Sequence, residues 1–78
     1  MYSVYAISSL NRNYIYVGLT SDVERIFKHH KIGHERTTRP YAPFRLIYTE
    51  TCNTRPQARS REKELKSGAG KEFLKSLL

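Results

Sequence analysis

Tyr14-Ile15-Tyr16-Val17-Gly18-Leu19-Thr20-Ser21-Asp22-Val23-Glu24-Arg25 changes character halfway along its length. Tyr14 to Leu19 is dense in aromatic and β-branched residues, the composition of a strand. Ser21-Asp22-Val23-Glu24 then has the spacing of a capping box, in which Ser21 accepts from the backbone and Glu24 reaches back. Val23, Ile26, Phe27 and His30 follow at i, i+3, i+4 and i+7, one face of a helix. Gly33 is its stop. A strand that leads directly into a capped helix makes the domain α/β.

Upstream, Tyr2 to Ser8 reads as another strand, and the Asn11-Arg12-Asn13 turn joins the two as a hairpin. Downstream, His34 to Pro43 carries no period and holds Thr37, Thr38, Pro40 and Pro43. It reads as a surface loop, long for so small a domain, and long loops in compact domains are often functional. Phe44 to Thr51 sets Phe44, Leu46 and Tyr48 against Arg45, Ile47 and Thr49, as a third strand does. Thr54-Arg55-Pro56-Gln57 opens a second helix that Ser67-Gly68 closes. Lys71 to Leu78 is a short third helix with Phe73, Leu74 and Leu77 on one side. The order ββαβαα predicts one α+β domain over residues 1–78, a three-stranded, mostly antiparallel sheet with flanking helices.

With 78 residues, of which 38% are hydrophobic, the chain has material for one small core and is not composed like a disordered segment. It has no apolar run of the roughly 18 residues that a membrane span needs, and no signal-peptide pattern at its start. It therefore reads as an intracellular, cytoplasmic protein with no membrane partner and no separate targeting domain. Cys52, the one cysteine, has no second cysteine for a disulfide or a metal cluster. The net charge of +7 points to a polyanion, nucleic acid ahead of membrane, with a merely soluble basic surface as the plainer alternative. Arg36, Arg39 and Arg45 are interleaved with Tyr41, Phe44 and Tyr48. Guanidinium groups pair with phosphates and aromatic faces stack on bases, so the mixture favours nucleic acid further.

Glu62 shares a helical face with Ala58 and Leu65, a face expected to pack on the sheet. A carboxylate there is costly unless it is paired or coordinated. From the residues alone it reads as an ion-pair partner of a nearby Lys or Arg. From the residues alone Tyr5 and Tyr16 read as core aromatics before they read as catalysts, and His30 as a core histidine on the apolar stripe of its helix.

Together these segments carry a resemblance. Ser3-Val4-Tyr5 and Tyr16-Val17-Gly18 on adjacent strands, Thr20-Ser21-Asp22-Val23-Glu24-Arg25, Pro43-Phe44-Arg45-Leu46-Ile47-Tyr48 and Arg61-Glu62-Lys63-Glu64-Leu65-Lys66-Ser67-Gly68 resemble the GIY-YIG nucleases. The last block looks like the small stand-alone bacterial members, related in fold to the N-terminal cutting domain of the excision-repair endonuclease. The resemblance implies a metal-dependent endonuclease acting on nucleic acid, DNA first, rather than on a small-molecule substrate. It makes Glu62 the single protein ligand to Mg²⁺ or Mn²⁺, and places Tyr5 and Tyr16 in the cleft to deprotonate and orient the attacking water. It makes His30 a contact to the scissile phosphate or a proton relay. Arg36, Arg39, Arg45, Lys63 and Lys66 are the expected nucleic-acid contacts.

Two positions depart from the family pattern. Ser3 stands where the first tripeptide has Gly, and Ile26 stands where an arginine would neutralise the phosphoryl transition state. Arg25 is the stand-in candidate, although one residue turns a side chain by about 100° on a helix; Lys63 or Lys66 are others. Ile26 therefore keeps a second function class open, a non-catalytic nucleic-acid-binding module of the same fold. A ribosome-associated basic protein accounts for the charge but not for the clustered site.

Overall fold

The computed structural model describes residues 1–31, 33, 36 and 38–78. The expectations placed on His34 and Thr37 lie outside the described residues.

The predicted order is the observed one. Strands β1 (Tyr2–Ser9) and β2 (Ile15–Thr20) are followed by helix α1 (Val23–Lys31), a 3₁₀ turn over Arg39–Tyr41, strand β3 (Phe44–Cys52) and helices α2 (Arg55–Lys66) and α3 (Gly68–Lys75). The sheet is antiparallel with β1 at its centre, in the order β2-β1-β3. A hairpin places β2 beside β1, and the chain returns along the other edge of β1 as β3. The β1–β2 register sets Tyr5 opposite Gly18 and Ile7 opposite Tyr16, so the two tripeptides lie on adjacent strands, offset along the ladder and meeting only at the Tyr5–Gly18 pair.

Strand alternation divides β1 between two apolar layers. Val4 and Ala6 point to one face, where they join Val17, Ala58, Leu65 and Leu74 under α2 and α3. Tyr5 and Ile7 point to the other, where they meet Phe44 and the α1 residues Val23, Ile26 and Phe27. A fully buried Leu such as Leu65, 1% exposed, contributes about 2–5 kcal/mol relative to Ala in such a core.

The structure corrects several local readings. The α1 cap is Asp22, not Ser21: Asp22 Oδ1 accepts from the Arg25 N–H at 3.1 Å, and Thr20 Oγ1 accepts from the Asp22 N–H. An ionised Asp at that place also complements the helix dipole. The simple alternation of β3 fails because the register slips between Ala6, opposite Tyr48, and Ile7, opposite Leu46. Ile47 is thus the extra residue of a β-bulge. Phe44 and Tyr48 consequently face different layers, and Leu46 is left 38% exposed. Helix α3 begins at Gly68 rather than Lys71, because Ser67 caps it by accepting from the Gly70 N–H. Of its predicted apolar side only Leu74 is buried; Phe73 and Leu77 are exposed. The cap of α2 is as read, with Thr54 Oγ1 accepting from the Gln57 N–H at 3.3 Å, and Gly33 ends α1 with φ of 78°.

Candidate active-site cleft

Gly18 is where the site starts. A Cβ there would lie 2.5 Å from Tyr5 Oη, so only a glycine on β2 lets the Tyr5 ring lie across the ladder. That ring reaches α1, where Tyr5 Oη and His30 Nε2 are 3.0 Å apart in a buried hydrogen bond. The other imidazole nitrogen, Nδ1, is 2.7 Å from Thr38 Oγ1. Thr38 is fully buried and His30 is 2% exposed. Engaging both nitrogens fixes the ring plane and couples the tautomer to the hydroxyl groups on either side. Tyr16, paired with Ile7 and so on the same face as Tyr5, brings its ring to 6.2 Å from that of Tyr5 and 5.1 Å from that of His30.

These three side chains form one wall of a cleft of about 370 Å³ at the β2 edge of the sheet. The β2–α1 junction (Thr20, Ser21) and Ile26 of α1 continue it, and α2 supplies the opposite wall through Arg55, Arg59 and Glu62. Although α1 and α2 pack on different faces of the sheet, both reach round the short edge strand to this place. Glu62 is the one carboxylate among the described residues that line the cleft. Its side chain is 12% exposed, with Lys66 Nζ 3.5 Å from Oε2 and Arg59 Nη1 3.9 Å from Oε1. Both partners are on the same helix and more than half exposed, so these ion pairs are weak. The ion-pair reading of Glu62 thus describes real contacts, made within a cleft that also contains the tyrosines and the histidine.

Among the described residues no group of three or more His, Cys, Asp or Glu is placed to hold a metal. A single hard carboxylate in a polar cleft nonetheless suits Mg²⁺ or Mn²⁺, which keeps several waters and binds through one or two carboxylates plus substrate phosphate. Glu62 would be that ligand.

The remaining sequence-predicted residues lie elsewhere. Arg25 borders a neighbouring depression with Thr20, Ser21, Asp22, Ile26 and His29, and does not line the cleft. Arg36, Arg39 and Arg45 are exposed away from it; Arg39 Nε donates to the Gly33 carbonyl at 2.9 Å, and Arg45 is on the edge strand opposite β2. Lys63 is exposed on α2. The aromatic residues interleaved with those arginines are engaged internally: Tyr41 stacks on Tyr14 at 3.9 Å, Phe44 is buried, and Tyr48 meets Phe73 edge-on. Burial beside Tyr41 pushes the Tyr14 phenol above its ordinary range.

Sequence reasoning missed Thr38, Arg55, Arg59 and Tyr2. Nothing in a loop threonine announces a buried partner for a histidine. The arginines had a readable signal, since Arg55, Arg59 and Glu62 stand at i, i+4 and i+7 on one helix.

The family model for the GIY-YIG catalytic domain matches residues 1–74. The UPF0213 protein HQ_3675A of Haloquadratum walsbyi (strain DSM 16790 / HBSQ001) is 43% identical over 54 residues, which cover 68% of this chain and 61% of that protein. The match thus spans about three fifths of that relative's length. No solved structure matches the chain.

Proposed function

The chain belongs to the GIY-YIG family, and from that premise we propose that it is a metal-dependent endonuclease that hydrolyses phosphodiester bonds in nucleic acid, DNA foremost. The observation that carries the reading is the convergence of Tyr5, Tyr16, His30 and Glu62 on one polar cleft, although they come from four different elements.

A phenol with its ordinary pKa near 10 is a poor base at neutral pH. The Tyr5–His30 contact offers a way round this. In the tautomer the relay needs, His30 Nδ1–H donates to Thr38 Oγ1, and Nε2 accepts from Tyr5 O–H. As water attacks phosphorus, Tyr5 Oη takes the water proton while its own proton passes to His30. The new P–O bond forms as the bond to the leaving oxygen breaks; the leaving oxygen takes a proton from solvent water, and the imidazolium hands its extra proton back through Tyr5 Oη to solvent. Tyr16, beside both rings, orients the water or a phosphate oxygen. Glu62 would hold a divalent ion, whose charge would stabilise the leaving oxygen.

Ile26 favours a second reading. It lines the cleft and packs in the apolar layer with Tyr5 and Phe44, so α1 presents a hydrocarbon surface to the substrate where the family pattern presents a cation. A binding module that has lost cleavage fits that surface.

Mg²⁺-dependent nicking of supercoiled, branched and single-stranded DNA separates the two. Wild type is expected to cut at least one of them, and Glu62→Ala to abolish cutting while DNA affinity stays equal or rises slightly. Cleavage that survives Glu62→Ala would make Glu62 a structural ion-pair residue and sink the mechanism.

A further inference from the structure

Arg59 and Arg55 point α2 at the cleft with two guanidinium groups one turn apart, and neither has a role in the chemistry described above. We propose that Arg59, supported by Arg55, holds the substrate phosphodiester in the cleft, supplying from α2 the cation that position 26 of α1 lacks. The inference rests on reading the cleft as a phosphodiester site.

Three observations support it. First, Ile26 and Arg59 line the same cleft from different helices, so a cation at either place would act on the same bound anion. Arg25, next to Ile26 in sequence, lines a different depression. Second, Arg59 is loosely held. Its Nη1 is 3.9 Å from Glu62 and its side chain is 55% exposed, a geometry worth little as an ion pair. A guanidinium can instead grip a phosphate through two parallel N–H···O bonds, a stronger and more directional contact. A divalent cation on Glu62 would compete for the same carboxylate oxygens and leave Arg59 to the phosphate. Third, Arg55 is already oriented, with its Cζ 5.8 Å from the centre of the Tyr2 ring at the cleft mouth. Stacking on an aromatic face holds a guanidinium while leaving its N–H edge to an anion. Two arginines against one carboxylate leave the cleft walls net positive.

The decisive measurement is equilibrium binding of a short labelled duplex DNA in EDTA, where metal-dependent cleavage is silent. Arg59→Ala should weaken binding about ten-fold and lower the log–log salt slope by about 1, the signature of one lost phosphate contact. Arg55→Ala should have a smaller effect of the same kind. Ile26→Arg in the Arg59→Ala background should restore affinity, whereas Ala69→Arg, which returns the same charge to an exposed position on α3, should not. Binding by Arg59→Ala equal to wild type overturns the assignment. So does equal rescue by Ala69→Arg, because Arg59 would then act only through net charge. Should the double variant Ile26→Arg/Arg59→Ala fail to fold, the Arg59→Ala loss and the Ala69→Arg control still decide. Cleavage in Mg²⁺ is scored separately. A wild type that binds but never cuts removes the nuclease reading and leaves Arg59 judged on binding alone; a wild type that does not bind overturns both.

Discussion

In the proposed mechanism Thr38 is a positioning residue whose part in the chemistry passes through an imidazole. Its hydroxyl, fully buried, meets His30 on the side away from Tyr5. Which nitrogen of a histidine carries the proton is set by the bond its other nitrogen makes. Thr38→Val keeps the shape but removes that hydroxyl. It should cost about 1–2 kcal/mol of stability and lower the cleavage rate about 10- to 100-fold, part of what a positioned acid–base group contributes. The pH–rate profile separates this from simple destabilisation: its limb for the Tyr5–His30 pair should move in Thr38→Val and stay in Thr38→Ser, which keeps the hydroxyl. An unmoved profile with a slower Thr38→Val would reduce Thr38 to packing.

Helix ends and one helix crossing set how α2 presents its cleft face. Thr54 caps α2 at the end that carries Arg55. Thr54→Ala should destabilise the protein by about 1 kcal/mol, read from denaturant melts at unchanged slope. The α2–α3 crossing depends on Gly70. A Cβ there would press into the carbonyl of Glu64 and lie 2.5 Å from Leu65 Cα, both backbone atoms of α2 that cannot step aside. Gly70→Ala should therefore cost about 1–3 kcal/mol through overpacking. Gly68 is its internal control, since a Cβ there meets nothing within 4 Å. Gly68→Ala should stabilise by about 0.5–1 kcal/mol through helix propensity and a less flexible unfolded chain. Equal effects at the two glycines would contradict the packing just described.

One polar cluster ties β3 to α2 and gives the fold an acid limit. Tyr48 Oη donates to Glu50 Oε1, and Arg61 Nε donates to the same oxygen at 3.0 Å. The Tyr48 hydrogen bond, then that of Arg61, holds the Glu50 carboxyl below its ordinary range despite some burial, and Tyr48 and Glu50 in turn raise Arg61. A carboxyl whose folded pKa is depressed stabilises the fold above its unfolded value, near 4.3, and that contribution is lost as pH falls through the folded value. Glu50→Gln should thus flatten the fall in melting temperature below about pH 4.5 and lower stability at pH 7. An acid melting curve unchanged by Glu50→Gln would show that other carboxylates set the limit. Among the described residues, no helix is long and apolar enough to cross a membrane.

Local chemistry wrote the element order into the chain. Strand composition in Tyr14–Leu19, the turn at Asn11–Asn13, the stripe through Val23 and His30 and the cap at Thr54 each act within a few residues of themselves, so ββαβαα could be read without a third dimension. Glu62, Tyr5, Tyr16 and His30 were legible as a set only through the two tripeptides and the glutamate block, because each residue alone reads as core or ion pair. Tertiary packing decided the rest. Periodicity says which way a side chain points from its own element, but not where that element sits against another. The extra residue at Ile47, visible only against β1, determines which layer Tyr48 joins. Thr38, eight residues beyond His30, meets its imidazole only in the folded chain, and Arg59 shares a cleft with Ile26 because helices on opposite faces of the sheet both line its narrow edge. Those juxtapositions depend on register and on the packing of distant segments, which no window of neighbouring residues contains.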